Sequence, residues 1–138
     1  MDRVKQLLQD PEFCSISAEG APGTILIQAP YRTAVRQYAD EAKKWPKEWQ
    51  ERVQVLTVDR AQGNQADVVF LDMVRTGSVG FMDDPKRLNV AITRARQGEV
   101  ILMHSRMTWR LVLGRRVKTT YTAQIWDDAV AGHRLLSV

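Results

Sequence analysis

The sequence predicts an α/β fold with a mostly parallel sheet flanked by helices. Three observations carry that expectation. Apolar runs of strand length recur near 24–29, 53–58, 67–74 and 100–103. The runs lack clean polar alternation, as strands covered on both faces do. Segments with helical spacing of apolar residues lie between most of them, and alternation of strand and helix gives a parallel sheet with right-handed crossovers.

The elements follow in order. Val4, Leu7 and Leu8 predict a short N-terminal helix, and a loop rich in Gly, Pro, Ser and Ala fills 15–23. A strand over 24–29 leads to a helix over 33–45 that Pro46 stops. Its aromatics, Tyr38 and Trp45, lie seven apart and are expected in the core rather than stacked on bases. Val53, Val55, Leu56 and Val58 form one strand, and Val68, Val69, Phe70, Leu71, Met73 and Val74 another. Residues 75–84 read as a loop carrying Gly77 and Gly80. Asp84 suits an N-cap and Pro85 the first helical position, because its missing N–H would be unpaired there anyway. Leu88, Ala91, Ile92 and Ala95 then make an apolar stripe, with Gly98 expected to close the helix. A fourth strand is expected over 100–103, then a basic helical segment with Trp109, Leu111, Val112 and Leu113 to about 116, and a last helix over 123–131. No repeat or long linker divides residues 1–138, so one domain is expected.

Composition narrows the classes. With 44% hydrophobic residues in 138, the chain can bury a core. A net charge of +4 modestly favours an anionic partner. The one cysteine, Cys14, excludes an internal disulfide and fits a reducing intracellular compartment, cytoplasm or nucleus. Cys14 itself is expected to be a small buried or half-buried residue. His104 and His133 are isolated, so no metal site is expected. No apolar run approaches the ~20 residues of a membrane span. Asp2, Arg3 and Lys5 are not followed by the apolar core of a signal peptide.

Two stretches carry chemistry. Residues 87–96, Arg-Leu-Asn-Val-Ala-Ile-Thr-Arg-Ala-Arg, put three arginines on the predicted helix. Arg87 and Arg94, seven apart, would project together, with Asn89, Thr93 and Arg96 as a second polar row. A guanidinium never deprotonates and its planar fork matches a phosphate. Residues 57–67 place Asp59, Arg60, Gln62, Gly63, Asn64, Gln65 and Asp67 between two apolar strands. A polar loop of that kind describes the carboxyl edge of an open α/β sheet, where ligands bind. Spacing alone also allows a solvated basic helix and a solvated turn in which Gly63 supplies a positive φ. Arg106, Arg110, Arg115, Arg116 and Lys118 crowd round Trp109, either tracking a phosphate backbone or forming a solvated helix face.

Together the stretches resemble a known family. Thr57-Val58-Asp59 through Gln62-Gly63, followed by Asp67 and an apolar strand, resembles motif V of superfamily 1 helicases. Arg87 to Arg96 resembles motif VI, in the form represented by the nonsense-mediated-decay RNA helicase. Residues 80–86 are similar to that subfamily too, and Ile25 to Tyr31 resembles motif IV, which extends to about residue 36. The resemblance implies the second RecA-like domain of a P-loop-NTPase-type motor. By it, Arg94 would touch the γ-phosphate as an arginine finger. Arg87, Gln62, Gly63 and Gln65 would serve the nucleotide, and Thr57 the nucleic-acid backbone. It also implies 5′-to-3′ translocation. Departures are Gln65 for a usual glutamate, Ala61 for a common phenylalanine and Ala34 for a common glutamine. Val35 stands where some members place a phosphate-binding arginine, with Arg36 one residue later.

No Gly-x-x-x-x-Gly-Lys-[Ser/Thr] loop and no strand ending in Asp-Glu occurs. In the family an N-terminal RecA-like domain supplies those elements and holds ATP and Mg²⁺. The chain alone is therefore expected to be inactive. It would complete an ATP site and grip single-stranded RNA or DNA when joined to that domain. The alternative is a detached module that binds nucleic acid or protein without hydrolysing ATP.

Overall fold

The computed structural model describes residues 1–74 and 84–135. Among them, the element order is α1 (Asp2–Gln9), β1 (Ile25–Ala29), α2 (Arg32–Ala42), α3 (Lys47–Gln50), β2 (Val53–Thr57), β3 (Ala66–Asp72), α4 (Pro85–Ile92), β4 (Ala95–Leu102), β5 (Trp109–Val112), β6 (Arg115–Lys118) and α5 (Tyr121–Ala131). β2, β1, β3 and β4 form one sheet in that order, every pair parallel. The expected α/β architecture is thus present. β1 is buried along its whole length, as a central parallel strand should be. β2 is an edge strand and only half-buried.

Side chains alternate across the sheet and build two layers. Ile25, Ile27, Val53, Val55, Val68 and Phe70 meet Val4 and Leu8 of α1 and Tyr38, Ala42, Trp45 and Trp49 from the α2–α3 region. Tyr38 and Trp45 are therefore core residues, as expected. On the opposite face Leu26 and Val69 pack with Ala61 and Ala66, and Leu71 packs with Val58, Leu88, Ala91 and Met107. The helix expected over 33–45 ends at Ala42, and Pro46 becomes the N-cap of the separate α3.

Three expectations change. The arginine helix stops at Ile92 rather than running to Gly98. Ala95 pairs with Ala66 and Gly98 with Val68, so residues with helical spacing are drawn into a ladder that extends the sheet. Tertiary pairing overrides a short helical period, leaving Ile92 exposed at 40%. The basic segment near 109–116 is a hairpin, not a helix. A 3₁₀ turn, Ser105–Thr108, leads into β5 and β6, which pair antiparallel from Trp109↔Lys118 to Val112↔Arg115. Leu113 and Gly114 both have positive φ, 50° and 75°, the signature of a tight primed turn. Third, Cys14 is exposed; it lies on the short bridge to Pro22 that closes the 15–23 loop. The expected loop at 75–84 lies outside the described residues except for Asp84.

Candidate nucleotide and nucleic-acid interface

The loop after β2 leaves the carboxyl end of the sheet at Thr57 and reaches β3 at Ala66, the opposite end, because β2 and β3 both run parallel to β1. It is therefore a crossover over one face of the sheet, not a turn confined to the carboxyl edge. Val58 and Ala61 are its apolar anchors, 1% and 0% exposed. Ala61 fits where a larger residue would have to displace Leu26, Ala66 or Val69. Asp59 and Arg60 between the anchors, and Gln62 and Gln65 after them, are exposed. Gly63 has φ +83°, with open space where a Cβ would stand. Glycine is needed there for its backbone and not for lack of room.

The crossover sorts the site residues between two edges. At the carboxyl edge, Thr57 Oγ1 accepts a hydrogen bond from the Arg60 N–H at 3.3 Å, and its carbonyl accepts from Ala61 at 2.9 Å. A shallow cleft beside it is lined by Arg32, Val35, Val55, Leu56, Thr57 and Arg60. Arg32, which sequence reasoning did not single out, thus shares the cleft with Thr57 and Arg60 of motif V. Arg87 lies near the same edge. Its Nε donates to Asp59 at 3.3 Å, and Nη1 is 3.6 Å from Asp84. Asp84 also caps α4 by accepting from the Lys86 N–H at 2.8 Å.

The opposite edge holds Gln65 and Arg94. Arg94 is half-buried and stands in the reversal between α4 and β4. Its carbonyl accepts a hydrogen bond from Ala66 N–H at 3.0 Å, which seats it beside Gln65. Arg87 and Arg94 do not share a helix face as the seven-residue spacing suggests. Arg87 lies in the first turn of α4, whereas Arg94 lies beyond its C-cap, Thr93. Asn89, Thr93 and Arg96 likewise form no single row, since Arg96 belongs to β4.

Two buried polar residues hold this arrangement. Gln28 is fully buried on β1, and its Nε2 donates to the Ala91 carbonyl at 3.2 Å. Ala91 lies in the last turn of α4, where carbonyls lack helical partners. Thr93 Oγ1 closes the same end by donating to the Asn89 carbonyl at 2.7 Å. Asp67, fully buried at the start of β3, accepts from Thr24 N–H at 2.9 Å and Thr24 Oγ1 at 3.0 Å. It also accepts from the Ile16 N–H at 3.3 Å, and Arg96 lies 4.0 Å away. Burial alone would raise its carboxyl pKa. The bonds from Thr24, Ile16 and Gln97 outweigh it and hold the group below the ordinary value. Asp67 is thus a joint between the 15–24 loop and β3, not an exposed loop carboxylate. Glu99 on β4 shows the reverse: burial pushes its carboxyl up to about 7, and its Oε1 has no partner. Neither Gln28 nor Glu99 carried a sequence signal, because a single polar residue in an apolar strand has no pattern.

The parallel four-stranded sheet flanked by helices is that of a RecA-like α/β domain. A family profile described as an AAA domain matches residues 1–106. The chain belongs to that family, in the superfamily 1 helicase branch typified by the nonsense-mediated-decay helicase. It is 37% identical over 92 residues to Regulator of nonsense transcripts 1 from Dictyostelium discoideum, covering 62% of this chain and 7% of that protein. Identity to the ATP-dependent helicase NAM7 of Saccharomyces cerevisiae is 37% over 98 residues, 67% of this chain and 10% of the relative. Identity to Helicase sen1 of Schizosaccharomyces pombe is 36% over 106 residues, 74% and 6% respectively. The chain spans at most about a tenth of the length of these relatives. Among the described residues, no helix is long and apolar enough to cross a membrane.

Proposed function

We propose that the chain is the second motor domain of an ATP-dependent superfamily 1 helicase. It completes an ATP site with Arg94 and grips single-stranded nucleic acid at the Thr57 edge. The observation that carries this reading is the Arg94–Ala66 hydrogen bond, which fixes Arg94 beside Gln65 at one end of the sheet. Thr57 stands at the other end, with Arg32 and Arg60 along its cleft. One end then serves a nucleotide and the other a strand, and the 57–67 crossover is the physical link between them.

The residues present suit one side of an ATP site. A guanidinium on a capped reversal can meet charge on a phosphate, and the Gln65 amide can hydrogen-bond a sugar hydroxyl. The phosphate loop and magnesium carboxylate would come from an N-terminal RecA-like domain, in cis or in trans. ATP and Mg²⁺ bound there supply the phosphoryl chemistry. Arg94 neutralises charge at the phosphate oxygens, where a fixed donor costs no reorganisation. Arg87, tied to Asp59, holds the start of the crossover against α4 and carries domain closure into the loop. The relatives called ATP-dependent helicases support this reading.

The test is phosphate release with single-stranded RNA or DNA present. The chain alone should stay below about 1 s⁻¹, the low end of ordinary turnover. Joined to a domain carrying the phosphate loop, it should turn over and respond to nucleic acid. Turnover by the pure chain, or none by the two-domain protein, contradicts the reading.

A further inference from the structure

We propose that the β5–β6 hairpin is a second contact for the phosphate backbone of single-stranded nucleic acid, built beside the Thr57 edge. Five cations, Arg106, Arg110, Arg115, Arg116 and Lys118, fall within residues 105–120, and no Asp or Glu does. Lys118 is neutralised by Asp127 at 2.5 Å. Among the described residues, none of the four arginines forms a salt bridge with a carboxylate. A basic surface without internal acids favours a polyanion. The hairpin lies beyond the 1–106 match, so family resemblance does not assign it.

Placement and rigidity make it a site rather than a scatter of charge. Leu102, the last residue of β4, pairs with Asp72 at the carboxyl edge, so the chain leaves the sheet at the same edge as Thr57. The hairpin base is clamped by buried Thr119. Its N–H donates to the Thr108 carbonyl at 2.9 Å, its Oγ1 donates to the Met107 carbonyl at 3.0 Å, and that oxygen accepts from Ala123 N–H at 3.1 Å. The Arg116 guanidinium sits 4.3 Å from the Trp109 ring centroid. A guanidinium already stacked on an indole offers a flat cationic platform for a base. Arg110 and Arg115 lie on the other hairpin face, since cross-strand partners share a face. A flexible single strand that wraps round this two-stranded ribbon would meet Arg116 and its stacking plane on one face and Arg110 and Arg115 on the other.

The proposal rests on reading the Thr57 edge as the nucleic-acid edge, and the test keeps the two apart. Labelled oligouridylate and oligothymidylate are titrated at several salt concentrations against the chain and its variants. Changing Arg110, Arg115 and Arg116 all to Gln should weaken binding at least tenfold at low salt. It should reduce the log–log salt slope by about 2, at about 0.7 per phosphate contact on a single strand. The same three positions changed to Lys should keep the slope. Arg116→Lys alone should weaken binding without changing the slope, because the charge remains and the plane is lost. The arginines are exposed, and a thermal melt verifies the fold of each variant. If the Gln variant weakens binding while Thr57→Ala is silent, the hairpin stands and the reading of the motif V edge fails. Parental affinity and slope in the Gln variant overturn the proposal. So does a Gln variant that loses only the binding of phosphatidylserine vesicles, which would make the hairpin a membrane-surface contact.

Discussion

The Ala66 N–H donates to the Arg94 carbonyl at 3.0 Å. This one bond joins the end of the 57–67 crossover to the arginine reversal, so neither segment can shift along the sheet without the other. The residues that hold the joint in place give predictions that do not depend on catalysis.

Asp67 is the first. Asp67→Ala leaves the Thr24 and Ile16 N–H groups without their acceptor and should destabilise the chain by about 3 kcal/mol in urea unfolding at neutral pH. Its folded pKa lies below the ordinary 3.8, so its contribution is complete above that value and is lost as pH falls through the folded pKa. Acid unfolding should be less steep below about pH 4 in Asp67→Asn than in the parent. An equally steep acid limb in Asp67→Asn would show that the carboxylate is not the titrating anchor.

Glu99 has the opposite sign. Its folded pKa, about 7, lies above the ordinary 4.5, so the folded state binds the proton more tightly. Stability is then greatest below the unfolded value and falls as pH rises from about 4.5 through 7. Glu99→Gln should remove this slope and raise stability at pH 8 by on the order of 2 kcal/mol. A Glu99→Gln chain that is less stable than the parent at pH 8 would mean the carboxylate has a partner in solution.

Gln28 separates two effects at one site. Gln28→Leu loses the donor to Ala91 but also removes an acceptor, Oε1, that has no partner. The net change should be within about 1 kcal/mol. Gln28→Glu places a carboxylate against the Ala91 carbonyl in a fully buried position and should cost more than about 3 kcal/mol at neutral pH. Equal stabilities for the two variants would remove Gln28 from the account of how the α4 end is closed.

What the sequence made legible follows from the range of the interactions involved. β1 and β3 were readable because Ile25, Leu26 and Ile27, and Val68 to Leu71, are apolar runs with local punctuation. The start of α4 was readable because Asp84 caps Lys86, two residues away. Its end was not, because the competing partner of Ala95 is Ala66, far off in the chain. The hairpin was missed because Leu111, Val112 and Leu113 in a run fit a helix as well as a strand, and the turn rests on an unusual positive φ at Leu113. The motif residues themselves were identifiable. Their division between the two ends of the sheet was not, since it depends on a crossover packing Val58 and Ala61 onto strands that sequence spacing does not order.

Whether Arg94 acts on the nucleotide is decided by steady-state ATP hydrolysis in a two-domain protein carrying Arg94→Ala. The kcat should fall by on the order of 10³-fold, the lower range for an arginine finger. Arg94→Lys should rescue poorly because a point charge lacks the fork, and the thermal melt of the domain should be little changed. Parental kcat in Arg94→Ala, or a domain that unfolds on the substitution, would contradict that role.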